Sequence, residues 1–245
     1  MDYLLYFSIT FVFSTLFGVI GLGSSLVLIP ALSLLGVEFN LAKVIGLFVN
    51  GITTLSITIK NLKSGVLSFV EIFPYLIVSI MFASLGAYTT VYIPENIVKI
   101  LLLLFIFLSV IMMFTHLHHQ ISKEQPSHLF LGNIIAFVAF IGGLIGVGGG
   151  AVYLPLFMLL GMSTKKSISL TSVLISFVSF SGFASYATFV HIDWFLLSIV
   201  GIAAMLGGIV AHAITNKINN EKLLKIFIAL ILLGVSIAMS IKELF

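Results

Sequence analysis

Two glycine clusters are the features of this sequence whose residue types and spacing point to chemistry. The first reads GVIGLGSSLVLIPALSLLG over residues 18–36, and the second reads GLIGVGGGAVYLPLFMLLG over residues 143–161. Clustered glycines permit the backbone conformations that break a helix. The helix that restarts after such a break presents free N–H groups and a positive dipole end, which suit an anion. The clusters therefore predict that backbone N–H groups at both breaks bind an anion.

Polar side chains follow each cluster in the next apolar segment. Asn50, Thr54 and Thr58 recur every four residues, so they share one helix face. A similar stripe of hydroxyls runs from residue 171 to residue 179. We predict that the substrate-binding residues are Gly21, Gly23, Ser24, Ser25, Asn50, Gly146, Gly148, Gly149, Gly150, Thr171, Ser172 and Ser176, with Pro30 and Pro155 as structural hinges.

Both features have a plainer interpretation. Small residues also let membrane helices pack closely, and Ser or Thr hydroxyls commonly bond the carbonyls of their own helix or bridge two helices. The tight clustering of the glycines and its repetition favour a binding role. Asn50 is the strongest single candidate, because an amide in the middle of an apolar segment needs a partner.

The sequence gives little support for catalysis or metal binding. The sequence holds no cysteine, no Ser/His/Asp set and no phosphate-binding loop with its lysine. Glu71, near the start of an apolar segment, comes closest to a buried carboxylate, with an interfacial position as the alternative. Three histidines between residues 116 and 119 are a weak metal candidate in a polar linker. We predict no enzyme, no catalytic residue, no metal and no cofactor.

The composition indicates the class of protein whose fold must position these residues. Of the 245 residues, 60% are hydrophobic and 8% are charged, with a mean hydropathy of +1.29. A soluble domain has about 25% charged residues, so this chain is predicted to be an all-α integral membrane protein with the lipid bilayer as its surroundings. The net charge of +3 comes from single lysines in short connections, which argues against a nucleic-acid partner.

Eight apolar segments account for most of the chain. They cover residues 3–36, 41–59, 66–89, 97–115, 129–161, 167–189, 194–214 and 223–242. Six match the ~20 residues of one membrane crossing. The first and the fifth are too long for one straight helix, and each carries a glycine cluster near its middle. We predict that both are broken there.

The two long segments are copies of each other. At a constant offset, Gly18, Gly21, Gly23 and Pro30 correspond to residues 143, 146, 148 and 155, which are the same amino acids. The predicted organisation is repeat 1 at residues 1–115, a polar linker at 116–128 and repeat 2 at 129–245. Paired interrupted segments in two repeats are typical of a transporter's binding site.

The lysines test the topology. If both long segments enter the membrane and return as broken hairpins, one side collects eight of the 11 basic residues; single crossings throughout divide them less unequally. The positive-inside rule favours the hairpins. This arrangement makes the two repeats inverted relative to each other.

Several motifs recur in a recognisable order: a doubled GxGxxxxxxP pattern, closing Leu-Gly pairs, a Lys-rich turn before Thr171-Ser172, and the connection from His191 to Trp194. In these motifs the chain resembles the TauE/SafE family of sulfite-exporter-type membrane proteins. The resemblance covers essentially the whole chain. It implies a multi-pass inner-membrane transporter for sulfur-containing or organic anions such as sulfite or sulfoacetate. The first half departs from the pattern, because Ser24 and Ser25 replace glycines.

The predicted function is a secondary carrier that moves a small anion by alternating access, with one site between the two glycine breaks and a coupling ion as a further partner. An anion channel and a membrane-embedded enzyme or metal-binding accessory protein are the alternatives. The sequence does not define the substrate, the direction of transport or the oligomeric state. Replacing Gly149 by leucine is expected to abolish transport.

Overall fold

The computed structural model describes residues 3–21, 23–63, 67–115, 127–215 and 221–244, and all regular structure in these ranges is helical. Most of the predicted linker, residues 116–126, lies outside them, as do the three linker histidines. The helices are α1 (Tyr3–Ile20), α2 (Ser25–Leu34), α3 (Phe39–Lys63), α4 (Phe69–Thr89), a 3₁₀ turn (Thr90–Tyr92), α5 (Glu95–Thr115), α6 (His128–Ile145), α7 (Gly150–Leu159), α8 (Thr164–Tyr186), α9 (Trp194–Thr215) and α10 (Glu221–Leu244).

Six of the described helices, α3, α4, α5, α6, α8 and α9, are long and apolar enough to cross a membrane. Large apolar side chains cover the outside of the bundle; Val70 is 81% exposed, Leu4 79% and Leu129 77%. Such a continuous apolar exterior suits a lipid environment and not water. Trp194 and Tyr92 are exposed at helix ends, the depth at which aromatic belts form.

The first and fifth apolar segments each consist of two helices. In the fifth, α6 ends at Ile145 and α7 begins at Gly150, with φ of 81° at Gly146 and 76° at Gly149. L-residues with a side chain rarely adopt such positive φ angles, so glycine at these two positions makes the turn possible. The first segment breaks in the same way between Ile20 and Ser25.

Both short helices turn back along the helix before them. The Tyr153 hydroxyl donates to the Ile135 carbonyl at 3.0 Å, although a continuous helix would place these residues about 27 Å apart. In the first segment the Ser14 hydroxyl donates to the Ser24 hydroxyl at 3.5 Å, across ten residues. The pairs α1–α2 and α6–α7 are therefore broken hairpins.

Helices α3 and α8 form the antiparallel centre of the bundle. Asn50 pairs with Ser179, whereas Thr58, two turns later, pairs with residue 172, seven residues earlier in α8. The end of α3 and the beginning of α8 therefore lie on the same side. The backbones of Lys63 and Lys165 are consequently on one side, as the hairpin topology requires and a single crossing by every segment does not allow.

Helix packing pairs the two halves of the chain reciprocally. Helix α1 packs along α9 and α6 along α4, while α2 contacts α10 and α7 contacts α5. The helices α6 to α9 each begin 125 residues after their counterparts α1 to α4. The division into two repeats with the bounds given above stays a prediction, and this packing is the pattern it requires.

Candidate functional site

The two broken hairpins meet at Asn50 in the middle of α3. A methyl group added to Gly23 in the first break would overlap the Asn50 amide oxygen, and one added to Gly148 in the second break would overlap the Asn50 amide nitrogen. The same methyl on Gly148 would lie 2.6 Å from the Ser179 hydroxyl. The absence of side chains on these glycines is what lets both breaks approach one amide.

Hydrogen bonds between α3 and α8 extend from this point. Asn50 Nδ2 donates to Ser179 Oγ at 2.9 Å. The Thr54 and Ser176 hydroxyls are 2.9 Å apart, and Thr58 Oγ1 lies 2.8 Å from Ser176 Oγ. All five side chains are at most 2% exposed, so the described conformation is closed around this polar seam.

Most hydroxyls of the seam also bond helix carbonyls. Thr54 Oγ1 donates to the Asn50 carbonyl at 2.8 Å, Ser176 Oγ to the Ser172 carbonyl at 3.1 Å, and Thr58 Oγ1 crosses to that same Ser172 carbonyl at 2.8 Å. The plainer interpretation of these hydroxyls, that they satisfy carbonyls and bridge helices, therefore describes them in this conformation. Their part in substrate binding stays a prediction.

Two buried polar atoms of predicted site residues are unsatisfied in the part of the chain that the structure describes. Asn50 Oδ1 and Thr171 Oγ1 have no hydrogen-bond partner there, although Asn50 is 0% and Thr171 1% exposed. An unsatisfied buried polar group costs about 1–3 kcal/mol. A half-turn of the Asn50 amide would let Ser179 donate to Oδ1 and free Nδ2 instead. The amide thus has one group available for a ligand, either an acceptor or a donor.

The short helices begin beside this amide without side-chain caps. The Ser24 side chain, at the N-cap of α2, accepts no hydrogen bond from a backbone N–H at the helix start, and Gly149, the N-cap of α7, has no side chain to do so. The first amides of a helix have no acceptor within it. Ser25 and Gly150, the first residues of α2 and α7, are both buried. Two uncapped helix N-termini therefore lie within the protein, at the breaks that meet Asn50.

The remaining predicted site residues have different surroundings. A methyl on Gly149 would meet Tyr153 at 2.9 Å and Val138 at 3.1 Å, inside its own hairpin, whereas one on Gly21 would meet nothing within 4 Å. A methyl on Gly146 would lie 2.5 Å from Lys43 Cγ. The structure therefore brings Gly23 and Gly148 to Asn50, and it directs Gly149, Gly21 and Gly146 elsewhere.

The predicted hinge prolines lie inside the short helices and not in the breaks. Pro30 is within α2 and Pro155 is within α7, each at the sixth position of its helix. The chain reversal occurs at the positive-φ glycines before them. A hinge role for the prolines stays a prediction.

The sequence interpretation missed one charged residue. Lys43 is 1% exposed in the first turns of α3 and is the only charged side chain among the buried described residues, whereas Glu71, the carboxylate considered above, is exposed. Lys43 precedes Asn50 by seven residues, two helical turns, and so shares its face. Extending the Asn50 stripe towards the N-terminus would have placed Lys43 on the same helix face, but it would not have shown that the side chain is buried.

The described residues contain no group of three His, Asp or Glu side chains placed to hold a metal ion. The chemistry that the site offers is hydrogen bonding from an amide, hydroxyls and helix N-termini in a closed, apolar surrounding. Together with six long apolar helices and a lipid-type exterior, these features define a polytopic α-helical membrane protein with a buried polar site at two helix breaks.

Comparison with known proteins identifies the family. Residues 6–239 match the sulfite exporter TauE/SafE family, and the chain belongs to it. Over 107 residues the chain is 36% identical to "Probable membrane transporter protein YunE" of Bacillus subtilis (strain 168). That match covers 42% of this chain and 39% of the relative. No solved structure gives a significant match. The chain is thus a multi-pass membrane protein of a transporter family.

Proposed function

We propose that this protein is a secondary carrier for a small anion, of the sulfur oxyanion or organosulfonate class, such as sulfite or sulfoacetate. The anion binds beside Asn50, between the breaks of the two hairpins. The observation that carries the proposal is the meeting of Gly23 and Gly148 at one buried amide whose oxygen has no hydrogen-bond partner among the described residues. The family name supports a sulfur oxyanion as the substrate class.

The anion is held by groups that replace its hydration shell. The uncapped N-termini of α2 and α7 supply amide donors and positive dipole ends. The Asn50 amide turns its Nδ2 group towards the ligand while Ser179 donates to Oδ1. The hydroxyls of Thr171 and Ser176 complete the set after local rearrangement. These neutral donors act in a medium of low dielectric constant, where each hydrogen bond is stronger than in water.

Transport follows from the two-fold arrangement of the hairpins. The described conformation is closed around the seam, so the anion enters or leaves only when one hairpin and its partner helices move relative to α3 and α8. The reciprocal packing of α1 on α9 and of α6 on α4 supports two inverted repeats. Inverted repeats make the opening on either side geometrically equivalent, which is the basis of alternating access.

An anion channel on the same scaffold is the second candidate. A channel needs a continuous path, whereas the seam residues here are in mutual contact and closed to both sides. The closed seam therefore favours a carrier.

The test is counterflow of sulfite into proteoliposomes. Protein-containing vesicles are preloaded with unlabelled sulfite, and uptake of labelled sulfite is followed over time for wild type, Asn50→Ala and the control Asn133→Ala. Asn133 carries the same side chain on the exposed surface of α6. A carrier shows saturable overshoot in wild type and in Asn133→Ala, and at least a tenfold loss in Asn50→Ala, whose amide cannot be replaced by another donor.

Two outcomes would count against the proposal. Non-saturable uptake without overshoot would indicate a channel. Normal counterflow by a folded Asn50→Ala variant would show that the anion does not bind at the meeting point of the hairpins. In the same experiment, inhibition of labelled-sulfite uptake by sulfoacetate and by sulfate compares the affinities of these anions with that of sulfite.

A further inference from the structure

Lys43 is a buried cation with few partners. Its ammonium donates one hydrogen bond, to Thr90 Oγ1 at 3.3 Å. It also lies 5.0 Å from the centre of the Phe39 ring and 4.8 Å from that of Tyr186. An ammonium has three donors, and the aromatic faces offer only a partial counter-charge.

No carboxylate contacts this ammonium among the described residues. The ion pair found there joins Lys99 to Glu95 at 2.8 Å. Glu95 and Glu38 line the neighbouring pocket, and neither forms an ion pair with Lys43 among the described residues. Burying a charge without a paired ion costs several kcal/mol, and ionisable residues within membrane spans mark substrate or ion pathways by default.

The position of Lys43 connects it to the proposed site. Lys43 and Asn50 are two turns apart on one face of α3, about 10 Å along the helix axis. The second hairpin contacts both residues in the order in which they occur along α3. Gly146 packs against the aliphatic stem of Lys43, and Gly148 packs against Asn50. Lys43 is thus the next polar group along the seam from Asn50.

A surface pocket lies beyond Lys43. It has a volume of about 250 Å³ and is lined by Glu38, Phe39, Glu95 and Lys99, together with residues of the α2–α3 connection and Met239. Phe39 forms part of its wall and contacts both lysines, since the Lys99 ammonium lies 5.6 Å from the ring centre. The Phe39 ring is 3% exposed, lines the pocket and lies against the buried ammonium.

We propose that Lys43 is an anion-binding residue that supplies the formal positive charge selecting and holding the transported anion between the pocket and Asn50. The inference rests on the proposed carrier function and adds a charged position to it. The anion acts as the movable counter-ion that the structure does not otherwise give Lys43. The cost of burying the ammonium is then offset when the anion is bound.

A purely structural role for Lys43 makes a different prediction. The last carbonyls of α6 are already satisfied by neutral groups: Thr90 Oγ1 donates to Leu144 at 2.7 Å, and the Tyr186 hydroxyl donates to Leu144 at 2.8 Å and to Gly143 at 3.1 Å. The Lys43 stem packs on Gly146, and a methionine stem has similar bulk. Lys43→Met therefore removes the charge while it preserves most contacts.

The experiment measures the melting temperature of detergent-purified protein with increasing sulfite, and sulfite uptake into liposomes. It compares wild type with Lys43→Met, Lys43→Gln and the charge-preserving Lys43→Arg. Lys165→Met is the matched control, because it removes a lysine charge from the exposed start of α8, outside the residues that line the pocket. Ligand binding to the folded state raises the melting temperature, so the shift reports affinity without relying on transport.

The expected result is a normal or raised melting temperature of Lys43→Met without sulfite, together with at least a tenfold loss of sulfite affinity. Lys43→Gln behaves alike, and Lys43→Arg and Lys165→Met retain most of the response. An unchanged sulfite response in Lys43→Met overturns this inference alone. Failure of both neutral variants to fold while Lys43→Arg folds makes the charge structural and also overturns it. Wild type that responds to no sulfur oxyanion or sulfonate overturns the proposed function itself.

Discussion

Adjacent glycines of the second break offer a sharp test of the proposed binding site. Gly148 faces the Asn50 amide and the Ser179 hydroxyl, whereas Gly149 faces Tyr153 and Val138 within its own hairpin. Both positions are buried. One added methyl group at either position disturbs the structure, but only the methyl at Gly148 reaches the polar seam.

The two substitutions have similar costs in stability for different reasons. Gly148 does not have a positive φ, so alanine there is free of backbone strain, and its methyl displaces the Asn50 amide from Ser179. Loss of that buried hydrogen bond costs about 1–3 kcal/mol. Gly149 has φ of 76°, and alanine in this left-handed region costs about 1–2 kcal/mol. The free energy of unfolding therefore falls comparably in both variants.

Transport separates the two variants. We expect Gly148→Ala to lose at least nine-tenths of sulfite counterflow, because its methyl occupies the space beside Asn50, while Gly149→Ala retains activity in proportion to its folded fraction. Counterflow and melting temperature are measured on the same preparations. Equal losses of transport in both variants, each tracking the melting temperature, would refute the reasoning. The bulkier Gly149→Leu is less informative, since its loss of transport would follow from strain alone.

Two further predictions concern the hairpins. Tyr153→Phe removes the hydroxyl that donates to the Ile135 carbonyl; that carbonyl keeps its helical partner in α6, so the loss of one hydrogen bond is expected to destabilise the protein by about 0.5–1.5 kcal/mol, which a slightly lower melting temperature in detergent, with sulfite affinity retained, checks. Gly86→Ala places a methyl against the Phe140 carbonyl, a backbone atom that cannot rotate away. We expect a loss of about 3 kcal/mol or more, whereas Gly234→Ala, which meets nothing within 4 Å, melts like wild type.

The sequence by itself determined the class of protein and the positions of the helix breaks. With 60% hydrophobic and 8% charged residues, the chain has too few polar side chains to cover a surface that faces water. A segment of over thirty apolar residues is also longer than one bilayer crossing requires. Clustered glycines then mark where such a segment turns, because the preference for positive φ is a local property of the residue. Both breaks accordingly fall within the glycine clusters.

Tertiary structure decided which groups meet. The choice of Gly148 and not Gly149 as the neighbour of Asn50 depends on the rotation of the chain through the left-handed turn, which residue type alone does not specify. The pairing of Asn50 with Ser179 joins residues 129 positions apart. Lys43 stands near the start of an apolar segment, where a lysine is expected to reach the membrane surface. Its burial arises from Thr90, Tyr186 and Gly146, contributed by later parts of the chain, so only the folded structure reveals a charge inside the bundle.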